Sequence, residues 1–297
     1  MEFVEVCSED KTNKYSFKRY NGRPFHMITP GNVRDQLQRF AEIQCRENDV
    51  LLCTYPRSGT HWVYNTVQML RLGTLTYSGT PIVADFEDLK LIEQIATPRT
   101  FLTHFTFPLI PTDAKKGVPK VIFVSRNPKD VLVSYFHFLD NMRNTGFEGD
   151  FNFFVKFFLS EEYFTSGASW FTYMKEWADG FKQHPKMRVL SIAYEDFKKD
   201  TFGSIVKLAD FLEVQKDPTF LREVEKNVTF EHLKEGHSKI TGEIDRWSVV
   251  DKNGRVPIYR KGKVGDWKNM FTVAQNEYFD AVYLEKMAGY EFAFEYE

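Results

Sequence analysis

Residues 51–72 read LLCTYPRSGTHWVYNTVQMLRL. An apolar run at 50–53 breaks at Tyr55-Pro56, passes through Arg57-Ser58-Gly59-Thr60 and enters a helical pattern. Val63, Val67 and Leu70 stand at i, i+4 and i+7, beside Trp62, Thr66 and Met69, the spacing of one buried helix face. A buried strand turning sharply into a helix leaves the first helical N–H groups without intrahelical partners, and such a terminus favours an anion. Gly59 permits close backbone approach, the Ser58 and Thr60 hydroxyls add donors, and Arg57 adds positive charge. The stretch reads as a phosphate cradle. Taken alone, it also reads as an ordinary strand–turn–helix corner whose polar residues cap the helix. It is not the nucleotide P-loop GxxxxGK[ST], because Gly59 is followed by Thr60-His61 and position 54 is Thr.

The 297 residues suffice for one large α/β domain or two smaller ones. Hydrophobic content of 42% with 27% charged residues is that of a soluble globular chain. The 29 phenylalanines imply an aromatic-rich core or an apolar binding cavity. A formal charge of −2 argues against a general nucleic-acid or membrane-surface binder while leaving room for a local basic pocket. Cys7, Cys45 and Cys53 are few, odd in number and far apart, so neither a disulfide framework nor a zinc site is expected. The N-terminal MEFVEVCSEDKTNK is unlike a signal peptide, and no stretch approaches about 18 consecutive apolar residues. The expected setting is cytoplasmic and reducing.

Along the chain, residues 1–30 read as an irregular lead-in that could pack over the mouth of a site. A helix is expected from Asn32, with Val33, Leu37, Phe40 and Ile43 on one face. Residues 73–97 mix loop and short helix, and 98–104 form a short strand ending in His104. The buried-strand pattern at 121–125 leads into Arg126-Asn127-Pro128-Lys129-Asp130, with Asn127 as helix N-cap, Pro128 at the first helical position and Asp130 in the first turn. Residues 147–182 are mostly helical, 187–194 a strand, 201–213 and 218–226 helices, and a last helix begins near Thr272. The stretch 235–259, rich in Gly, Ser, Thr, Asp and Asn with little periodicity, has the length of a functional lid. Strands alternating with helices predict α/β architecture: a mainly parallel sheet covered on both faces, with ligands beyond the strands' carboxyl ends. The 51–72 loop, His104, Arg126 and Tyr194 all follow strand ends, so one cleft could hold them.

Arg57, Arg126 and Arg260-Lys261 are separated basic elements, each alone an ordinary surface charge. Together with Ser134, two helical turns beyond Asn127 and on the same face, they form a candidate clamp for a ligand with more than one phosphate. A Mg²⁺-nucleotide kinase usually has a Lys in its P-loop and an Asp closing a buried strand. Here the strand at 121–125 ends in Arg126 instead, and Tyr194-Glu195-Asp196 after the fourth strand is a substitute that keeps a weak kinase reading open. His104 is the best single candidate for a general base; at a strand end, its imidazole can take a hydroxyl proton near neutral pH. A satisfied structural histidine is the competing reading.

These residues carry a family resemblance. Tyr55-Pro56-Arg57-Ser58-Gly59-Thr60-His61-Trp62 resembles the 5′-phosphosulfate loop of the cytosolic sulfotransferases, which use 3′-phosphoadenylyl sulfate (PAPS). Arg126 through Tyr135 looks like their 3′-phosphate element, and Arg260-Lys261-Gly262 followed by Gly265-Asp266-Trp267-Lys268 is similar to their C-terminal signature. Lys268, Thr272-Val273 and Glu277 match the family's dimerisation motif KxxxTVxxxE. The match covers nearly the whole chain, with the motifs in family order.

The resemblance implies a single three-layer α/β/α domain over residues 1–297, of the P-loop-like sulfotransferase fold. It implies that Ser58, Gly59, Thr60 and His61 hold the 5′-phosphosulfate, that Trp62 stacks on the adenine, and that Arg126, Ser134 and Arg260 bind the 3′-phosphate with Lys261 and Gly262 completing that turn. Tyr194, Thr229 and Phe230 match adenosine contacts. His104 falls on the catalytic base, and Phe138 and Phe86 on the acceptor pocket. The stretch 235–259 corresponds to the loop over the active site. In-line sulfuryl transfer needs a base for the acceptor hydroxyl and positive charge near the leaving oxygen, roles for His104 and Arg57, and this arrangement calls for no metal. The expected acceptor is a small phenol, alcohol or steroid. The chain departs from the family pattern at Arg57 (usually Lys), His61 (usually a small polar residue) and Leu102 (commonly Lys). A catalytically impaired PAP- or PAPS-binding protein of the same fold is the second reading.

Overall fold

The computed structural model describes residues 1–142, 145–160, 166–215, 217–239 and 258–297. Its centre is a four-stranded sheet of order β5-β4-β6-β8, built from β4 (Val50–Thr54), β5 (Thr100–Thr103), β6 (Lys120–Ser125) and β8 (Arg188–Ala193), with every pairing parallel. Successive strand residues point to opposite faces. Leu51 and Cys53 of β4 and Val121 and Phe123 of β6 therefore enter one core, while Val50, Leu52, Ile122 and Val124 enter the other.

The first core is covered by α1 (Val33–Ala41), α5 (Pro128–Asn141), α6 (Phe151–Leu159), α7 (Trp170–Gln183) and α12 (Val273–Lys286). The second is covered by α2 (Thr60–Leu72), α8 (Tyr194–Lys199), α9 (Thr201–Leu212), α10 (Pro218–Asn227) and α11 (Phe230–Ser238). The short helices α3 (Lys90–Gln94) and α4 (Thr112–Lys115) lie in connections. The result is the expected α/β/α layering. Much of the aromatic surplus fills the first core, where Phe123, Tyr173 and Trp177 pack ring on ring at 5.1–6.1 Å. At the amino end of the sheet a buried ion pair, with Arg99 Nε donating to Asp49 Oδ1 at 3.0 Å, ties the start of β5 to that of β4.

The lead-in is not irregular. Strands β1 (Glu2–Cys7), β2 (Lys14–Tyr20) and β3 (Arg23–Phe25) form an antiparallel sheet, joined on β2 by β7 (Phe147–Glu148). Asn21-Gly22, both with positive φ (50° and 73°), close the β2–β3 hairpin, because a two-residue turn matching strand twist needs left-handed backbone at both positions. Tyr15 and Phe17 are fully buried against the first core, which fixes the β2 register.

Other boundaries differ slightly. The fourth parallel strand stops at Ala193, and Tyr194 opens α8 instead of closing the strand. Residues 235–238 continue α11, while 240–257, the bulk of the expected lid, lie outside the described residues. Register pairs Cys53 with Thr103, Thr54 with Val124 and Ser125 with Ala193, so all four carboxyl ends meet at one edge.

Candidate active site

That edge opens into a cavity of about 410 Å³. The turn from β4 into α2 forms its floor. Arg57 and Gly59 both take left-handed backbone (φ 71° and 93°), and no side chain caps the α2 N-terminus. Its first N–H groups therefore face the cavity with the positive end of the helix dipole. Thr60 Oγ1 lies 2.7 Å from Thr54 Oγ1. Ser58 is fully buried behind the wall, its hydroxyl without a partner among the described residues. The Tyr194 ring covers Gly59 so closely that a Cβ there would lie 2.7 Å from Tyr194 Cδ2. Trp62 packs its ring against Phe197 (4.3 Å) and Tyr194 (5.5 Å), with Lys198 Nζ 5.7 Å from it.

The basic elements converge as the sequence implied. Arg126 donates from Nη1 to the Arg57 carbonyl (2.9 Å) and from Nη2 to the Lys263 carbonyl (3.1 Å), and stacks on Tyr194 at 4.2 Å. Arg57 donates to Ser134 Oγ (3.2 Å) and the Ile258 carbonyl (2.9 Å) and lies 4.7 Å over the Phe138 ring. Burial, with the Arg126 and Arg260 charges adding to it, pulls the Arg57 guanidinium down to about 10. It stays protonated at neutral pH, in a site whose uncompensated field is positive. Arg260 and Lys261 are held by Asp266 at 2.5 and 2.7 Å. Burial works against the ionised Asp266, but the hydrogen bonds from Lys261, Arg260 and Asn269 outweigh it and hold the carboxyl at about 2.

Asp130 links the 260–267 turn to α5. It accepts from the Gly265 N–H (2.9 Å), the Trp267 N–H (3.0 Å) and Asn127 Nδ2 (3.0 Å), docking the 260–267 turn onto the start of α5. The Phe230 ring lies where a Cβ on Gly262 (φ 63°) would be, at 2.4 Å. Thr229 caps α11, its hydroxyl accepting from the His232 N–H at 3.4 Å.

His104 sits immediately beyond β5, 8% exposed. Its Nδ1 lies 2.7 Å from the Thr54 carbonyl oxygen. A carbonyl only accepts, so Nδ1 carries the proton and Nε2 keeps its lone pair. Burial depresses the imidazole to about 4, the Thr54 bond opposing and the Arg57 charge adding. The His104 backbone N–H donates to Asp85 (3.0 and 3.2 Å), which burial raises to about 6.

Of the residues singled out from sequence, Arg57, Gly59, Thr60, His61, Trp62, Phe86, His104, Arg126, Ser134, Phe138, Tyr194, Thr229, Phe230, Arg260, Lys261 and Gly262 all line the cavity. Ser58 does not. Leu102 is buried in the second core. Glu195, the carboxylate a kinase reading needs, faces α5 instead and accepts from the Asn127 N–H at 2.8 Å. Lys268, Thr272, Val273 and Glu277 lie on the exposed surface, Lys268 paired with Glu297 at 2.5 Å and Thr272 closing a capping box with Gln275. His26, Ile28, Lys198 and Lys263 line the cavity without having been singled out. His26 belongs to the lead-in, where only the Asn21-Gly22 hairpin signal could have shown that the chain folds back.

A parallel sheet whose carboxyl edge joins an uncapped helix start, an arginine cluster and a neutral histidine defines the class: an anion-gripping group-transfer protein of the α/β type. Comparison narrows the class. The family model described as the sulfotransferase domain matches residues 47–291. Rat sulfotransferase 1A1 is 34% identical over 264 residues, covering 83% of this chain and 87% of the rat protein. Mouse sulfotransferase 1B1 is 32% identical over 267 residues, covering 85% and 87%. The crystal structure of mouse sulfotransferase SULT7A1 complexed with PAP superposes with a TM-score of 0.75 at 27% identity, covering 93% of this chain and 96% of that one. Retinol dehydratase with retinol and PAP shares the fold, with a TM-score of 0.78 at 20% identity, covering 99% and 98%. The chain belongs to the sulfotransferase family, as a PAPS-dependent enzyme.

Proposed function

We propose that the protein moves the sulfuryl group of PAPS to the hydroxyl or amine of a small, largely apolar acceptor, with His104 as general base and Arg57 countering the charge that develops on the leaving oxygen. The observation that carries this reading is the His104–Thr54 contact, which leaves Nε2 as a bare lone pair in the cavity that also holds the α2 N-terminus. Nε2 takes the acceptor proton as the new S–O bond forms; the electron pair of the broken S–O bond leaves with the nucleotide oxygen, toward the Arg57 guanidinium and the α2 N–H groups.

The donor set suits such a nucleotide. The α2 start is uncapped, and Arg126 Nε and Arg260 Nε, on residues that line the cavity, are buried donors without partners among the described residues. In this reading Ser58, Gly59, Thr60 and His61 hold the 5′-phosphosulfate and Trp62, Tyr194, Thr229 and Phe230 the adenosine. Arg126, Ser134, Arg260, Lys261 and Gly262 take the 3′-phosphate, so Asp266 must yield part of its hold on Arg260 and Lys261. Phe86 and Phe138 line the acceptor side. The PAP bound to the mouse structure supports the nucleotide assignment, and the rabbit amine sulfotransferase, 30% identical over 272 residues, supports including amines. The same reading treats residues 1–297 as one cytoplasmic domain that pairs with a second copy through Lys268, Thr272, Val273 and Glu277. Cys7, Cys45 and Cys53 are free thiols.

The test is transfer of labelled sulfate from PAPS in the presence of chelator, wild type against His104→Ala. Transfer by the wild type, lost in the variant, supports the reading. PAP binding without transfer to any acceptor panel would replace it with that of an impaired binding protein.

A further inference from the structure

Beside His61 and His104, the cavity contains a third histidine, which neither the family motifs nor the transfer chemistry uses. His26 follows β3, is 3% exposed, and lines the same cavity as His104. The Phe86 ring packs against both imidazoles, its centroid 5.9 Å from each. Their hydrogen bonds set opposite tautomers. His26 Nδ1 accepts from the Ile28 N–H at 3.3 Å, so its ring proton is on Nε2, whereas His104 keeps its proton on Nδ1. Burial, with the Lys18 charge adding to it, depresses His26 to about 4, so it is neutral at pH 7. Its Nε2–H has no partner among the described residues. His26 lines the cavity, so this donor is open to it, and a ligand oxygen can take the N–H in place of water.

We infer that His26 is a specificity-determining residue whose Nε2–H binds an oxygen at the far end of the acceptor, opposite the hydroxyl that His104 deprotonates. The favoured substrate class is then a flat, apolar phenol or alcohol with a second oxygen, ketone or hydroxyl, at its other end. Phe86 packs against the skeleton between the two histidines. This rests on the sulfotransferase reading above and deepens it. A site built to donate to such an oxygen discriminates against an analogue lacking it more sharply than an apolar wall does.

The test compares 4-hydroxyacetophenone with 4-isopropylphenol, which match in shape and differ in the far-end oxygen. Sulfation kcat/KM and calorimetric affinity for the PAP-loaded protein are measured in wild type, His26→Phe and His26→Gln. Comparing ratios between enzymes cancels the difference in phenol acidity. The expected result is that His26→Phe lowers the ketone-to-alkyl ratio about tenfold, mainly through KM, the scale of one neutral hydrogen bond. His26→Gln, which keeps an N–H donor, should recover part of it. A ratio unchanged in His26→Phe, by kinetics or by affinity, overturns the inference while leaving the sulfotransferase reading intact. If the wild type does not bind PAP at all, the failure is that of the underlying reading, and the inference falls with it.

Discussion

His104 and Thr54 are joined across two parallel strands by a 2.7 Å hydrogen bond from Nδ1–H to the carbonyl oxygen. The bond fixes the tautomer before any acceptor arrives. Replacing His104 with Ala or Gln should reduce kcat by about 10²–10⁴-fold, the usual worth of a positioned base. PAP affinity, measured by calorimetry, should change less than about threefold. A parallel loss of PAP affinity would mean that His104 acts on the nucleotide cradle.

The same burial predicts the pH profile. With His104 at about 4, its imidazole is already deprotonated across the neutral range. The His104 limb of kcat/KM should fall only as pH approaches 4, with no loss through the ordinary histidine midpoint of about 6.5. A midpoint near 6.5 that disappears in His104→Gln would contradict the depressed imidazole.

Arg57 is anchored on Ser134 Oγ, the Ile258 carbonyl and the Phe138 ring. Arg57→Met should lower kcat by about 10²-fold or more, as removal of one preorganised charge donor does elsewhere. Arg57→Lys should retain more of it, since the charge survives while the forked contacts do not. Equal losses in the two variants would show that the fork, and not the charge, matters.

Asp130 positions the 260–267 turn through two backbone N–H groups. Asp130→Ala leaves those two donors unpaired and removes the carboxylate 3.7 Å from Arg126, which should cost about 2–5 kcal/mol in a urea titration. In protein that remains folded, PAP should bind at least about tenfold more weakly while acceptor affinity changes little. An unchanged PAP affinity would remove Asp130 from the site's support.

Stability should fall on acidification. His26 and His104 are depressed to about 4, and His61 well below its ordinary value, by burial first in each case. As pH drops below about 6.5 the unfolded chain takes up protons that the folded state refuses, so each histidine forfeits about 2 kcal/mol between pH 7 and 5. Asp85, raised to about 6, works the other way and gains roughly 1 kcal/mol over that interval, too little to offset three histidines. The urea midpoint should therefore drop from pH 7 to 5, and His26→Phe should flatten the slope. A slope identical to wild type would refute the buried neutral state of His26.

The sequence alone determined the strand–turn–helix at 51–72, the Asn127-capped helix after β6 and the convergence of Arg57 and Arg126. These are local patterns: apolar periodicity, cap chemistry, and the rule that parallel strands deliver their carboxyl ends to one edge. The tertiary structure decided what depends on contacts distant in the chain. It turned the lead-in into a sheet and brought His26 to face Phe86, across sixty residues that no periodicity links. It placed Ser58 behind the wall, gave Asp130 its hold on Gly265 and Trp267, and laid Tyr194 over Gly59. Above all it set the His104 tautomer. A strand end can be read from a run of apolar residues, but which nitrogen holds a proton depends on which carbonyl the fold brings within 2.7 Å.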